Sequence, residues 1–282
     1  MNRSITFYSP GPRFPSISVT GRECQLGCRH CRGVYLRGMT PARDPEELER
    51  IAWRLSENGG EGFLLSGGAT PSGAVPLTRY ADAIRRIKES TALRINAHVG
   101  LMRRNELSTL IDAGVDAFSI DVYGSDAPIG RTLGLEAGAE DFLGVVIDLI
   151  ELGAPLVVPH LCAGIHEGRL EGEFKAIDML MGAKVDALVI IVFSPTKGTP
   201  YASLDPPEAD EVLSVIAYAK HRLRGARLCL GCMRPRNDRS LEVRAAYAGV
   251  TGMAVPSVAT REGLAREGWK ITEKETCCAL SR

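Results

Sequence analysis

The chain has 282 residues, 45% of them apolar, with 34 basic and 34 acidic side chains. That length suits one large α/β barrel or two modest domains, and the apolar fraction suffices for a sizeable core. Zero formal net charge argues against nucleic acid or an anionic membrane as main partner. No apolar run is long enough to cross a bilayer, and the N-terminal stretch MNRSITFYSPGPRFP lacks the apolar core of a secretory signal, so a cytoplasmic location is expected.

In chain order, apolar runs alternate with amphipathic stretches. Residues 16–21 predict the first strand. Residues 45–59 predict a helix, with Asp44 as its N-cap and Pro45 in its first turn. Further strands are expected at 62–68, 93–100, 117–124, 155–164, at the start of 187–200, at 226–232 and at 252–257. Helices fall between them at 77–91, 103–114, 138–153, 170–182, 206–223 and 240–249, with a short one at 260–268. About eight strand–helix units imply parallel strands with right-handed crossovers. The expected fold class is α/β, a (β/α)8 TIM-type barrel, complete or nearly so, over 1–260. Residues 261–282 are expected to form a C-terminal helix and tail capping the barrel mouth. An open doubly wound sheet is the rival, but no G-x-G-x-x-G opens a helix.

Two strands alternate polar and apolar residues. Arg94, Asn96 and His98 interleave with Leu93, Ile95 and Ala97; Ser119, Asp121 and Tyr123 interleave with Phe118, Ile120 and Val122. Period two sends each polar set to one face. The apolar face should meet the helices, leaving polar groups inside the barrel, where they need partners. A satisfied internal network and a ligand-filled cavity both answer that need.

The eight cysteines are clustered, which favours metal ligation over disulfides. Cys24, Cys28 and Cys31 fall within eight residues just past the first strand. Structural zinc wants four protein ligands, and His30 or a remote Cys162 could supply the fourth. Alternatively, three thiolates hold a [4Fe–4S] cluster and leave one iron open to a small molecule.

The C-x3-C-x2-C spacing resembles the core motif of radical S-adenosylmethionine (SAM) enzymes. The residue before the third cysteine is usually aromatic in that family and is His30 here. The resemblance implies a [4Fe–4S] cluster on Cys24, Cys28 and Cys31, whose open iron chelates SAM. It also implies reductive cleavage of SAM to a 5'-deoxyadenosyl radical, hydrogen abstraction from substrate, and an electron donor such as ferredoxin. LSGGATP at 65–71 resembles the segment whose backbone holds the SAM amino group, through Gly67 and Gly68, although its usual acidic position is Ala69. By the same resemblance Asn96, His98 and Asp121 are candidates for the ribose hydroxyls. His160 is expected to face the same mouth, and backbone groups around Phe193 and Pro195 to read the adenine edge.

Cys229 and Cys232 form a lone C-x2-C, and Cys277 and Cys278 lie near the end of the sequence. A redox pair, half a zinc site and idle tail thiols are open readings, as is convergence of Cys229, Cys232 and one or both of Cys277 and Cys278 on a second iron–sulfur cluster. Arg234 and Arg236 suit a carboxylate, of substrate or of SAM, while Arg32 and Arg37 flank the first motif. The stretch FYSPGPRFPSISVTGREC, together with GCMRP, is similar to the two-component archaeal-type lipoyl synthases, relatives of the biotin synthase group. That resemblance implies sulfur insertion from an auxiliary [4Fe–4S] cluster into a protein-bound octanoyl chain. It implies a second radical SAM subunit and a lipoyl-domain protein as partners. Radical SAM methylation or rearrangement of a small metabolite is the alternative enzyme, and a zinc-stapled scaffold subunit the non-enzymatic one.

Overall fold

The computed structural model describes residues 3–236 and 240–280; residues 1–2 and 281–282, at the outer ends of the two expected segments, lie outside them. Among the described residues eleven strands, all parallel, form one sheet. They are β1 (Ser4–Tyr8), β2 (Ser16–Ser18), β3 (Thr40–Pro41), β4 (Gly62–Ser66), β5 (Arg94–His98), β6 (Ala117–Asp121), β7 (Val157–Ala163), β8 (Ala187–Val192), β9 (Arg227–Leu230), β10 (Gly252–Ala254) and β11 (Lys270–Lys274). Their order is β11-β1-β10-β9-β8-β7-β6-β5-β4-β2-β3.

This order forces the sheet to curl. In a flat sheet β1 and β2 would stand eight spacings apart, about 38 Å at ~4.8 Å each. The chain from Tyr8 to Ser16 can span at most about 28 Å. One N-terminal segment therefore pairs β10 through its first half and β4 through its second. No ladder joins β1 to β2 among the described residues, so the α/β barrel is closed there by the chain itself. Arg13 spans this seam, holding Glu61 at 2.7 Å, Glu275 at 2.6 Å and the Gly59 carbonyl at 2.9 Å.

Alternation sorts the two cores. Ile5, Phe7, Ile95, Phe118, Ile120 and Leu188 pack outward against the helices. Tyr8, Ala117, Val158, Ala187, Val189 and Cys229 point the other way and form a second cluster inside the barrel. The first long helix, Pro45–Glu57, starts as its sequence dictates: the Asp44 carboxylate accepts from the Glu47 N–H at 2.7 Å.

The sheet extends past residue 260, because β11 pairs β1. β1, β3 and β11 escape the sequence reading: β1 precedes the expected first strand, β3 has two residues, and β11, KITEK, is mostly charged. After β11 the chain turns into the lumen rather than over the mouth. Cys278–Leu280 form a single tight turn against β5, β6, β8 and β10. The small side chains of Ala117 and Ala187 belong to the wall that receives it. Leu280 is only 2% exposed. Removing its buried branches leaves a cavity inside a wall of strands that cannot collapse. Leu280→Ala is thus expected to cost about 2–4 kcal/mol in equilibrium urea unfolding; a loss below about 0.5 kcal/mol, typical of a surface change, would mean that the tail is not lodged there.

Candidate active site

The cysteine loop leaves β2 and is fastened before it reaches its first thiol. The buried Tyr80 hydroxyl bonds the Val19 and Ala42 carbonyls at 3.0 and 2.8 Å. Ser18 Oγ donates to the Gly21 carbonyl, and Thr20 Oγ1 to that of Glu23, both at 2.8 Å. The loop following β4 then presses directly on this one. Gly68 N–H donates to Thr20 Oγ1 at 2.7 Å, and Gln25 N–H to the Ala69 carbonyl at 3.0 Å. A Cβ on Gly68 would lie 1.9 Å from the Glu23 carbonyl oxygen and 2.6 Å from Cys24 Cα. Only glycine permits that approach.

The turn holding Cys28 and Cys31 is set by the Cys31 and Arg32 N–H groups, both donating to the Cys28 carbonyl. Ligand atoms of Cys28, His30 and Cys31 all lie within 4.8 Å of one another. Cys24 stands outside that trio, its Sγ 4.0 Å from the Ala69 carbonyl. A hydrogen bond from Cys28 holds the Cys31 thiol down to about 4 against the cost of burial, and His30 assists. The Cys28 thiol is pushed up by the same hydrogen bond, then by burial and by the charges of Cys31 and Cys24. His30 Nδ1 is buried without a partner among the described residues. Three soft thiols on one loop, one already favouring the thiolate, fit a [4Fe–4S] cluster. The glycine loop beside them offers backbone at the close range a chelated ligand needs.

Beside this loop, β5, β6 and β7 present a titratable group apiece to the lumen. Asp121 is in register with His160, and His98 with Ser119. His98 Nε2 lies 3.7 Å from Asp121 Oδ1, and the two imidazoles meet edge to face at 5.7 Å. Burial would lower the His98 pKa, but the Asp121 charge and hydrogen bond outweigh it and raise the value. Burial would raise that of Asp121, yet the charge and hydrogen bond of His98 bring it down. His160 is lowered to about 4, by burial first and then by repulsion from His98. Its Nδ1 donates to the Val158 carbonyl at 3.0 Å, which leaves Nε2 as an acceptor. Cys162 is pushed well up by burial and then by Asp121.

Several expected residues have other employment. Asn96 is 1% exposed; it accepts from Ser119 Oγ at 2.9 Å and donates to Cys277 Sγ at 3.6 Å, so it anchors the tail instead of facing a ribose. The Phe193 N–H donates to the Ala163 carbonyl at 2.9 Å. Pro195 lines an outer cleft with Asp205 and Arg236. Arg234 is buried against Glu242 and bonds the Gly231, Ala254 and Val255 carbonyls. Arg236 caps the Cys232 and Val255 carbonyls. The carboxylate that both arginines meet is the protein's own: Glu242 lies 2.5 Å from Arg234 and 3.4 Å from Arg236.

Cys229, Cys277 and Cys278 do converge inside the barrel. Cys278 shares hydrogen bonds with both of the others. Its hydrogen bond draws the Cys229 thiol down despite burial. Cys232 is exposed at the end of β9, yet close enough to feel the Cys277 charge. Among the described residues these four do not provide three ligand atoms within 4.8 Å of one another. One contact was not legible beforehand: the Tyr35 hydroxyl bonds that of Thr196, tying the cysteine loop to the loop after β8.

Asp121→Asn isolates the charge that opposes burial at His98. In this variant the imidazole pKa should fall below its ordinary ~6.5. The unsubstituted pair stabilises fully between about pH 4 and 6.5. That contribution is lost as pH rises through the raised His98 value, or falls through the lowered Asp121 value. Histidine NMR titration of the metal-free protein reads this directly; a His98 that still titrates above 6.5 in D121N would contradict the pairing.

Sequence and structure comparisons agree with this geometry. The model of the Radical SAM superfamily matches residues 18–171, more than half of the chain. The biotin synthase of Geotalea daltonii is 24% identical over 277 residues, covering 93% of this chain and 82% of that protein. The biotin synthase of Thermotoga neapolitana is 26% identical over 257 residues, covering 88% and 89%. The crystal structure of methylornithine synthase superimposes with a TM-score of 0.65 at 16% identity, covering 90% of this chain and 72% of that one. The FeFe-hydrogenase maturase HydG from Carboxydothermus hydrogenoformans gives 0.67 at 16% identity, covering 95% and 68%. With its cysteine loop, glycine loop and curled parallel sheet, the chain belongs to the radical SAM superfamily.

Proposed function

We propose that the chain inserts sulfur at an unactivated carbon, as one component of the synthesis of a lipoyl group on a protein-bound octanoyl chain. The convergence of Cys229, Cys277 and Cys278 inside the barrel carries this reading. A radical SAM barrel needs thiols only at its mouth, whereas a second buried set beneath it suits an auxiliary cluster that donates sulfur. When bound, the mouth cluster and SAM supply the reducing electron and the carbon radical.

The chain's own residues position and protect. Cys24, Cys28 and Cys31 would hold the first cluster, with the Gly67–Gly68 backbone beside them for the SAM amino group. His98 and Asp121 form a polar pair at the edge of that space and suit the ribose hydroxyls. Cys229, Cys277 and Cys278, with Cys232 at the rim, would hold the second cluster, and Asn96 fixes the tail that carries two of them. The closed wall of strands shields a reactive intermediate from water. A ferredoxin-type electron donor, a second radical SAM subunit and a lipoyl-domain protein are the partners this chemistry requires. All eight cysteines are free thiols, in keeping with a reducing, cytoplasmic setting, and no described helix is long and apolar enough to cross a membrane.

Iron analysis after anaerobic reconstitution counts the clusters. About eight irons per chain are expected, falling to about four in a variant with Cys229, Cys277 and Cys278 changed to Ala; four in both proteins would remove the second cluster. The same preparation, incubated with SAM, reductant, the second subunit and an octanoylated lipoyl-domain peptide, should yield a thiolated peptide by mass spectrometry. Formation of 5'-deoxyadenosine with no thiolated product would reject the lipoyl assignment while leaving superfamily chemistry intact. Gly68→Ala must push two loops apart, and should lower 5'-deoxyadenosine formation at least about tenfold, about 1.4 kcal/mol in barrier, without changing the circular dichroism; unimpaired turnover would free the glycine of that role.

A further inference from the structure

The lower barrel holds a cavity that the mouth chemistry does not use. Its lining comes from β1 and the exposed strand β11 along their whole length and from the starts of β9 and β10, and includes Thr6, Arg227, Cys229, Lys270, Thr272 and Lys274. Strand parity explains the composition. Ile5, Phe7 and Ile271 pack toward the helices, so Thr6, Lys270, Thr272 and Lys274 are left on the inner side.

Arg227 is the unusual member. Both of its Nη atoms are shielded from solvent and have no hydrogen-bond partner among the described residues. Guanidinium cannot discharge, and a buried cation without a partner is costly. No Asp or Glu is among the residues lining the cavity. The nearby acids are committed elsewhere: Glu273 to Arg261, Glu275 to Arg13, and Asp186 to the Val157 N–H. Two lysines add like charge to the same space.

We infer that this cavity binds a small oxyanion of the phosphate or carboxylate class, gripped by the Arg227 fork and assisted by Lys270. A planar guanidinium presents two parallel donors that match two oxygens of such an anion, and the threonine hydroxyls can supply further donors. Its arginine stands at the N-terminal end of β9, whereas the cysteine loop follows the C-terminal end of β2, and the site does not depend on the function proposed above. Its inner end reaches Cys229, so an occupant would sit beside the lumen thiols.

The test uses the cluster-loaded protein under anaerobic conditions, with inorganic phosphate as probe and sodium chloride of equal ionic strength as control. Calorimetry should show saturable one-site binding, and phosphate should raise the unfolding midpoint. Arg227→Met is expected to weaken binding at least about tenfold. Because it also removes an uncompensated buried charge, it should raise the midpoint in phosphate-free buffer by about 2 °C or more. A purely structural arginine would do the reverse. Lys270→Gln should weaken binding by a smaller factor, and Arg227→Lys, which keeps charge but loses the fork, should fall between. Glycerol phosphate binding more tightly than phosphate would identify the phosphate end of a larger metabolite; equal binding would identify the free ion, and a preference for succinate a carboxylate. Absence of saturable binding of all three at millimolar concentrations, or equal affinity in R227M, would overturn the inference.

Discussion

Two loops of this protein touch because one carbon atom is missing. Gly68 brings the end of β4 against the Glu23 carbonyl and Cys24, closer than any side chain would allow. The Thr20 hydroxyl and the Gln25 N–H then lock the contact with two hydrogen bonds. The first cysteine is thereby fixed by the strand next door, and the other two by a turn of their own. The three thiols that would hold a soft-metal cluster thus stand on one loop, beside the glycine segment after β4. Backbone rather than side chains borders it, since Ala69 stands where a carboxylate would otherwise reach in.

The interior of the barrel is divided by level. Near the cysteine loop it is polar and titratable, with His98, Asp121 and His160 on adjacent strands. Below that the tail fills it with Cys278, Ala279 and Leu280, packed on small wall residues. Farther down it opens again among Arg227 and two lysines. An ordinary barrel interior would be packed throughout by branched side chains from its own strands. Here the strands supply alanine and polar groups beside Val158 and Val189, and a segment from the far end of the chain supplies much of the remaining filling. The seam between β1 and β2 lies near that segment, and Arg13 binds its edges on the outside.

Much of this could be read in advance wherever a local pattern had a local cause. The alternation of Phe118 and Ile120 with Ser119 and Asp121 fixed which face met the helices. Asp44 and Pro45 marked a helix start, and the three-cysteine spacing marked the metal loop. Other features depend on partners distant in sequence. Asn96 looked like a ligand contact because polarity inside a barrel needs a partner; its partner is Cys277, 181 residues away. Arg234 looked free because the acid that satisfies it, Glu242, comes from a following helix. The unpaired state of Arg227 is a property of the space around it, which no short motif encodes.

The account rests on a metal whose protein ligands are three thiols and whose remaining coordination belongs to a small molecule. His30 makes this a sharp question, because its ring lies with Cys28 and Cys31 and its Nδ1 has no partner. Electron paramagnetic and electron–nuclear double resonance of the reduced, reconstituted protein decide it. The account predicts a spectrum that shifts on adding SAM, with hyperfine coupling to isotope-labelled amino and carboxylate groups of that molecule. A spectrum indifferent to SAM, with strong coupling to 15N in His30, would show the site closed by the protein and contradict it.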